Sequence, residues 1–592
     1  MSMRIPNHAI GLTALVSAVL AILFASPTSG AEVLRASGGP AVSLGTRADD
    51  ETAPVNPVTS EAFRSWPVSL TNPYGSPVFY DLDGDGRDEV IVGDHNRAYV
   101  FEGDGTIRPG WPRSTGPIDH HPAIGDIDGD GAPEIAFGIR TQPPKLYVFD
   151  SGGATEPGWP VSLPFARWLN VSGPVIADIN LDGHLDVGIA SELGVSFFDY
   201  RGVPLPGWPY LWAAPTQNIQ WSCPAVADID LGDSPEVVVG NASFMCESVH
   251  VIQADGTALP GWPISTQSIF SSPALADLDG DGDLEIIVQE GDYTWNGRNL
   301  YVWHHDGTPL AGWPVAIAAD WEGSRSNPSV ADIDQDGALE IITLSGDGRL
   351  HILRADGSYF PGYPKQTIAV EPISSTSIVD VDGDWIEEIF FTYWRASNQY
   401  VGGWRLDGTM LPGFPKLLFA NTDLNAHGSA HVADFDHDGD LDVTACGTSL
   451  SGGSLCVFEV DQSVYNPHWT RCDWPKIRHD IPNTGCFMRR DPARVEGQEG
   501  ARIVNFAIAP NPAVRASRLT LRTPNGWSGS LAVLDATGRL VWRRLDLSGS
   551  TPGAVPVSEL FGTPSPASGV YLVRWQPTIG KPTATRLVWI AN

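Results

Sequence analysis

An acidic nonapeptide recurs eight times between Asp81 and Asp442, at intervals of 45 to 55 residues. Its clearest copies are Asp81-Leu-Asp-Gly-Asp-Gly-Arg-Asp-Glu89 and Asp277-Leu-Asp-Gly-Asp-Gly-Asp-Leu-Glu285. Oxygen donors at positions 1, 3, 5 and 9 surround one point, and glycine at position 6 permits the sharp turn between them. Such a set suits a hard cation that takes six to eight oxygens in irregular geometry, which is the chemistry of Ca²⁺. An EF-hand reading fails, because position 12 is Val92 in the first loop and Phe137 in the second, where a bidentate Glu is required.

The candidate ligands follow from the repeat. The first two loops offer Asp81, Asp83, Asp85 and Glu89, then Asp126, Asp128, Asp130 and Glu134. The third offers Asp178, Asn180, Asp182 and Asp186, and the fourth Asp228, Asp230 and Glu236. The fifth and sixth offer Asp277, Asp279, Asp281 and Glu285, then Asp332, Asp334, Asp336 and Glu340. The last two offer Asp380, Asp382, Asp384 and Glu388, then Asp434, Asp436, Asp438 and Asp442. Three loops depart from the pattern: Asn180 removes a charge, Asp233 replaces the turn glycine in the fourth, and Trp385 replaces it in the seventh. Those three are expected to bind an ion more weakly than the rest.

Around each loop the chain keeps one grammar. A short apolar strand runs into the loop, a second and third strand follow, then an Asp-Gly turn and a Gly-aromatic-Pro segment such as Gly110-Trp111-Pro112. Asp-Gly favours hairpins because glycine accepts positive φ. Four short strands in about 50 residues, repeated, predict an all-β chain built as a β-propeller. Eight loops favour eight blades, with seven the alternative and an open β-solenoid the runner-up. Trp66-Pro67 stands alone before the first loop, so Phe63–Leu70 is expected to supply the missing strand of the last blade. Such closure removes exposed sheet edges.

These Asp-x-Asp-x-Asp-Gly-x-x-Glu/Asp loops between strands resemble the FG-GAP, or VCBS-type, repeats of integrin α propellers and many secreted bacterial proteins. The resemblance covers roughly Phe63 to Cys486 and implies a propeller with Ca²⁺ in the loops. Integrin propellers have seven blades. Past Cys486 the grammar stops, and Pro510-Asn511-Pro512, Asp535–Arg539 and Ser568–Tyr571 follow in order. Those signatures resemble the C-terminal sorting domain of type IX secretion substrates and the FlgD-like immunoglobulin fold. The resemblance implies a small immunoglobulin-like β-sandwich that engages a secretion machinery; an ordinary spacer is the alternative.

Residues 1–31 read as a secretory signal peptide, with Arg4, an apolar stretch from Ile10 to Phe24 and small residues before Glu32. The stretch is short for a membrane span, and no other segment is long and apolar enough to cross a bilayer. The expected organisation is then a linker at 32–60, the propeller at 61–488, a second linker at 489–500 and the C-terminal domain at 501–592. A secreted or cell-surface location also fits six cysteines, whose spacing suggests Cys223–Cys246, Cys446–Cys456 and Cys472–Cys486 disulfides. The formal net charge of −34 opposes nucleic acid and anionic lipid as partners.

No nucleophile elbow, zinc-protease motif or phosphate loop is present, so no catalytic residue is assigned. Variation between copies concentrates in the stretch before each acidic loop. There Trp168, Trp221, Phe270, Trp321 and Arg325 suggest a rim that recognises an extracellular carbohydrate or protein. The reading that follows is a binding or adhesion module. A calcium-dependent polysaccharide lyase or hydrolase and a structural surface-layer component are the alternatives.

Overall fold

The structure is a computed structural model. It describes residues 66–487, apart from 165–170, 213–221, 233, 242–247, 267–268, 292–297, 319–325, 335, 368–373, 382–385, 423–427, 437–440, 450–451, 461–479, 481–482 and 485. It also describes strands between Asn505 and Trp589. The proposed signal peptide and both linkers lie outside the described residues.

Eight antiparallel sheets arise from the repeat, one per acidic loop. Blade 1 is Val78–Tyr80, Glu89–Gly93, Arg97–Phe101 and Arg113–Ser114, paired in that order. The inner strands of successive blades adjoin around the axis, and each runs directly into its acidic loop. All eight loops therefore lie on one face of the ring. The second strand is buried along its whole length, as in Glu134–Ile139, because its two faces pack on neighbouring blades. The two-residue outer strands are half-exposed.

The ring closes as the sequence predicts. Val68–Leu70 pairs with Gly452–Glu459, placing Val68 opposite Leu455, and completes the eighth blade as its outer strand. Blade count is thus eight, and the seven-blade alternative falls.

The Gly-aromatic-Pro segment latches each blade to the next. Trp111 Nε1 donates to Ser151 O at 3.1 Å, Trp208 Nε1 to Ala254 O at 3.0 Å and Trp313 Nε1 to Ala355 O at 2.7 Å. Trp66 does the same across the closure, to Gly103 O at 3.3 Å. In blade 6 the Tyr363 hydroxyl makes the equivalent bond to Leu406 O at 2.8 Å. Phe414 has no donor and is held by packing, edge-on to Phe390 at 5.5 Å. A large ring with a polar tip suits this position, since it fills the interblade gap and satisfies a turn carbonyl.

A second circle of bonds runs around the mouth opposite the acidic loops, two residues before each inner strand. There the backbone N–H of one blade donates to a side chain of the next. Cys223 N donates to Ser272 Oγ at 2.9 Å, Ser272 N to Asn327 Oδ1 at 2.6 Å and Asn327 N to Ser375 Oγ at 3.3 Å. Ser375 N then donates to Ser429 Oγ at 2.9 Å and Ser429 N to Ser76 Oγ at 2.8 Å, closing past the first blade.

The axis is occupied by the chain itself. Cys486–Phe487 adds a fifth strand to blade 5, parallel to its inner strand Ala274–Ala276, with Leu275 opposite Cys486. Thr484 O accepts from Val226 N at 2.9 Å, and Asn483 Nδ2 donates to Pro122 O at 2.8 Å and Pro174 O at 3.0 Å. Four blades are thereby tied to one short segment. Asn483 has φ 66, a conformation asparagine tolerates better than most residues. Asn483→Ala removes both bonds and adds backbone strain, so it should cost roughly 2–3 kcal/mol in chemical denaturation. A cost near zero would show that the segment contributes nothing to the ring.

The cysteines differ from expectation. Cys446 and Cys456 are buried free thiols. On the paired strands Cys446 faces Leu455 while Cys456 faces Ala445, so the one-residue offset sends the two sulfurs to opposite sides of the sheet. Cys446 packs with Leu70 and Val90 of the closure, and Cys456 with Phe390 and Phe414. Cys486 is likewise a buried free thiol. Cys246 and Cys472 lie outside the described residues.

Between Asn505 and Trp589 the strands form one three-stranded and one four-stranded antiparallel sheet. No helix occurs among the described residues.

Candidate metal centres

Among the described residues the acidic loops are wound by their own carboxylates. Asp81 accepts from Gly84 N at 2.7 Å and Gly86 N at 3.0 Å, Asp83 from Asp85 N at 3.2 Å and Asp85 from Arg87 N at 2.8 Å. These bonds draw the side chains inward. Two positions take positive φ, not one: Gly84 at 73° and Gly86 at 86°. From sequence alone only the second is expected. At the first, the third and fourth loops place Leu181 at 58° and Leu231 at 59°, a strained choice for a residue with a Cβ.

The ninth residue anchors every loop to the sheet. One of its oxygens accepts the backbone N–H of the second residue at 2.7 to 3.2 Å in all eight copies. The other oxygen faces the loop. In blade 1 it meets the Arg108 guanidinium, with Glu89 Oε1 at 3.2 Å and Asp83 Oδ2 at 2.9 Å from that side chain. In blade 5 Glu285 Oε1 meets His304 Nδ1 at 3.1 Å. In blades 3 and 6, Asp186 Oδ1 and Glu340 Oε1 are buried with no hydrogen-bond partner. A buried carboxylate oxygen without a donor is costly, so the site favours a cation there. Neither Arg108 nor His304 is assigned to a loop from the sequence, because both come from the third strand or its turn rather than from the nonapeptide.

Burial pushes the Glu89, Glu134, Asp186 and Glu236 carboxyls up to about 7 and Glu340 to about 8. Neighbouring carboxylates add to this, such as Asp334 beside Glu340, while Arg108 opposes it at Glu89. A carboxyl raised on folding contributes stability below its unfolded value and loses it as pH rises through the folded value. The metal-free protein should therefore melt at a lower temperature at about pH 8 than at about pH 5, as scanning fluorimetry in chelator would read. A melting temperature that rises over that window would contradict this picture of the loops.

Ligand atoms converge in several copies. Asp81, Asp83 and Asp85 form one cluster able to hold a metal ion, as do Asp126, Asp128 and Glu134. Asp228, Asp230 and Glu236 converge too, although the fourth loop is irregular in sequence. In blade 5 Asp279, Glu285 and His304 cluster, as do Asp281, Asp283 and His304. Asp382, Asp384 and Asp438 lie outside the described residues.

The family described as FG-GAP-like repeat matches residues 81–137, 126–189 and 277–343. The chain carries FG-GAP-like repeats. Each matched stretch spans at least one acidic loop of the propeller, so the repeat and the blade are one unit. No curated protein matches the chain. Among solved structures it is similar to the biofilm matrix protein Bap1 of V. cholerae, at 14% identity and TM-score 0.37, covering 70% of this chain and 93% of that one. A rhamnogalacturonan lyase of Bacillus licheniformis matches at 18% identity and TM-score 0.42, covering 68% and 74%. A europium-containing methanol dehydrogenase matches at 11% identity and TM-score 0.43, covering 67% and 92%.

Of the five suggested rim residues, Phe270 is buried at 5% exposure. It packs inside the ring and does not present its ring to solvent. Trp168, Trp221, Trp321 and Arg325 lie outside the described residues. No helix among the described residues is long and apolar enough to cross a membrane.

Proposed function

We propose that this protein is a secreted or cell-surface β-propeller whose FG-GAP-like loops bind Ca²⁺ and whose opposite mouth recognises an extracellular carbohydrate or protein. The observation that carries the calcium reading is the buried, loop-facing oxygen at the ninth loop position, unpartnered at Asp186 and Glu340 and met by a cationic or titratable side chain at Glu89 and Glu285. A donor set dominated by carboxylate oxygens favours Ca²⁺ over ions that need nitrogen or sulfur. The ion would neutralise carboxylates that otherwise repel one another, and so fix the inner strand to the second strand.

The variable segments support the recognition half of the reading. Each leaves an outer strand such as Val161–Ser162 and returns at an inner strand such as Val175–Ala177, and the return point is the end opposite the acidic loop. The inner strands that follow the segments carrying Trp168, Trp221 and Trp321 thus all begin at one mouth, remote from the metal loops. The C-terminal strands would act as the address for the secretion machinery.

A glycan array probed with the full chain in calcium tests the partner class. Saturable binding that is lost in Trp221→Ala and Trp321→Ala, with the melting temperature retained, is the expected result, and truncating such an anchor should weaken binding by about thirtyfold. Release of shortened or unsaturated glycan would instead indicate an enzyme. Loss of folding in both variants would assign these residues to packing.

A further inference from the structure

The circle of bonds at the mouth is interrupted at one place. Positions that carry serine or asparagine in other blades carry His121, Gly173 and Cys223 in blades 2, 3 and 4. Gly173 has no side chain to accept from the blade before it; its own N–H continues the circle by donating to Cys223 Sγ at 3.2 Å, and the space above it is shared by its two neighbours. A Cβ built on Gly173 would stand 2.9 Å from His121 Nε2 and 3.2 Å from Cys223 Sγ. The side chains of His121 and His120 both lie beside that sulfur, with their ring centroids 6.4 Å apart. His121 and Cys223 are each 2% exposed, whereas His120 is partly open to solvent. Asn483 caps the same spot through Pro122 O and Pro174 O.

One sulfur and two imidazoles thus meet in a nearly dry pocket, at the end of the inner strands away from the acidic loops. We propose that Cys223, His121 and His120 form a binding site for a thiophilic ion of the zinc class. Thiolate and neutral imidazole are the donors zinc prefers, and three protein ligands leave a fourth position for water or a ligand entering from the partly open His120 side. Burial pushes the Cys223 thiol up, but the neighbouring imidazoles outweigh it and hold the thiol well below its ordinary range. The acidic loops supply no sulfur and would not compete for such an ion on equal terms. The site stands apart from the calcium reading and survives its failure.

The test uses the full chain, reduced and freed of metal, titrated with cobalt(II) and then with zinc(II). Expected is a thiolate-to-cobalt charge-transfer band in the near ultraviolet that zinc abolishes. Cys223→Ser should remove the band, His120→Gln should weaken cobalt binding by about tenfold or more, and Cys456→Ser should retain it. Circular dichroism of each variant guards against misfolding, and His120, being partly exposed, is the substitution best tolerated. No charge-transfer band in the folded wild-type chain would overturn the proposal. So would a band that persists in Cys223→Ser, or peptide mapping that finds Cys223 joined to Cys246 in the isolated protein.

Discussion

In excess chelator the melting temperature of the full chain should fall by on the order of 10 °C, and added calcium should restore it. Extracellular calcium modules bind at roughly 10⁻⁴ to 10⁻³ M. At ten times Kd each site adds about 1.4 kcal/mol to the native state, so several sites on one ring sum to several kcal/mol. For a ring of this size each kcal/mol is worth about 2 °C or slightly less. Glu340→Gln should reproduce part of the loss, because it removes the charge at an oxygen that has no donor of its own. Melting curves that coincide with and without EDTA would end the calcium reading.

A second large effect is expected at the latch glycine. Gly207 has φ 87, and a Cβ there would lie 1.9 Å from the backbone oxygen of Asp255 in the next blade. Gly362 holds the same repeat position with the same φ 87, yet the nearest atom is Lys365 Cε at 3.8 Å, the far end of a flexible side chain. Gly362→Ala should therefore cost only the conformational penalty, about 1 kcal/mol. Gly207→Ala must also push two blades apart and should cost roughly 3–5 kcal/mol, read by urea denaturation. Equal losses would mean that backbone conformation, rather than the close approach of neighbouring blades, governs this position.

The contrast shows what a sequence of repeats discloses. The Asp-Gly turns, the Trp-Pro segments and the solitary Trp66 sufficed for the blade and for closure by the first strand, because each is a local feature copied in phase. The loops were legible for the same reason, down to the ninth residue. What escaped was set between blades. Arg108 and His304 reach the loops from the third strand and its turn, at positions where the other blades carry different residues. Cys446 and Cys456 lie ten residues apart, but the register that separates their sulfurs depends on the length of the turn between them. Phe270 has the size and sequence position of a rim residue, and only its packing reveals that it is buried. Cys223 and His121 are about a hundred residues apart and meet only because Gly173, in the blade between them, leaves room.

The strand along the axis also decides how the ring bears tension. Cys486–Phe487 runs parallel to Ala274–Ala276, and so heads toward the face that carries the acidic loops. Tension applied at Phe487 acts at the centre of that face rather than at the rim. Traction there acts along the strand direction, so the backbone bonds to blade 5 and those at Val226, Pro122 and Pro174 must shear together instead of unzipping one by one. A tether anchored in this way spreads force over four blades at once. The seam between the first and last blades, where Val68–Leu70 closes the circle, stays outside that force path.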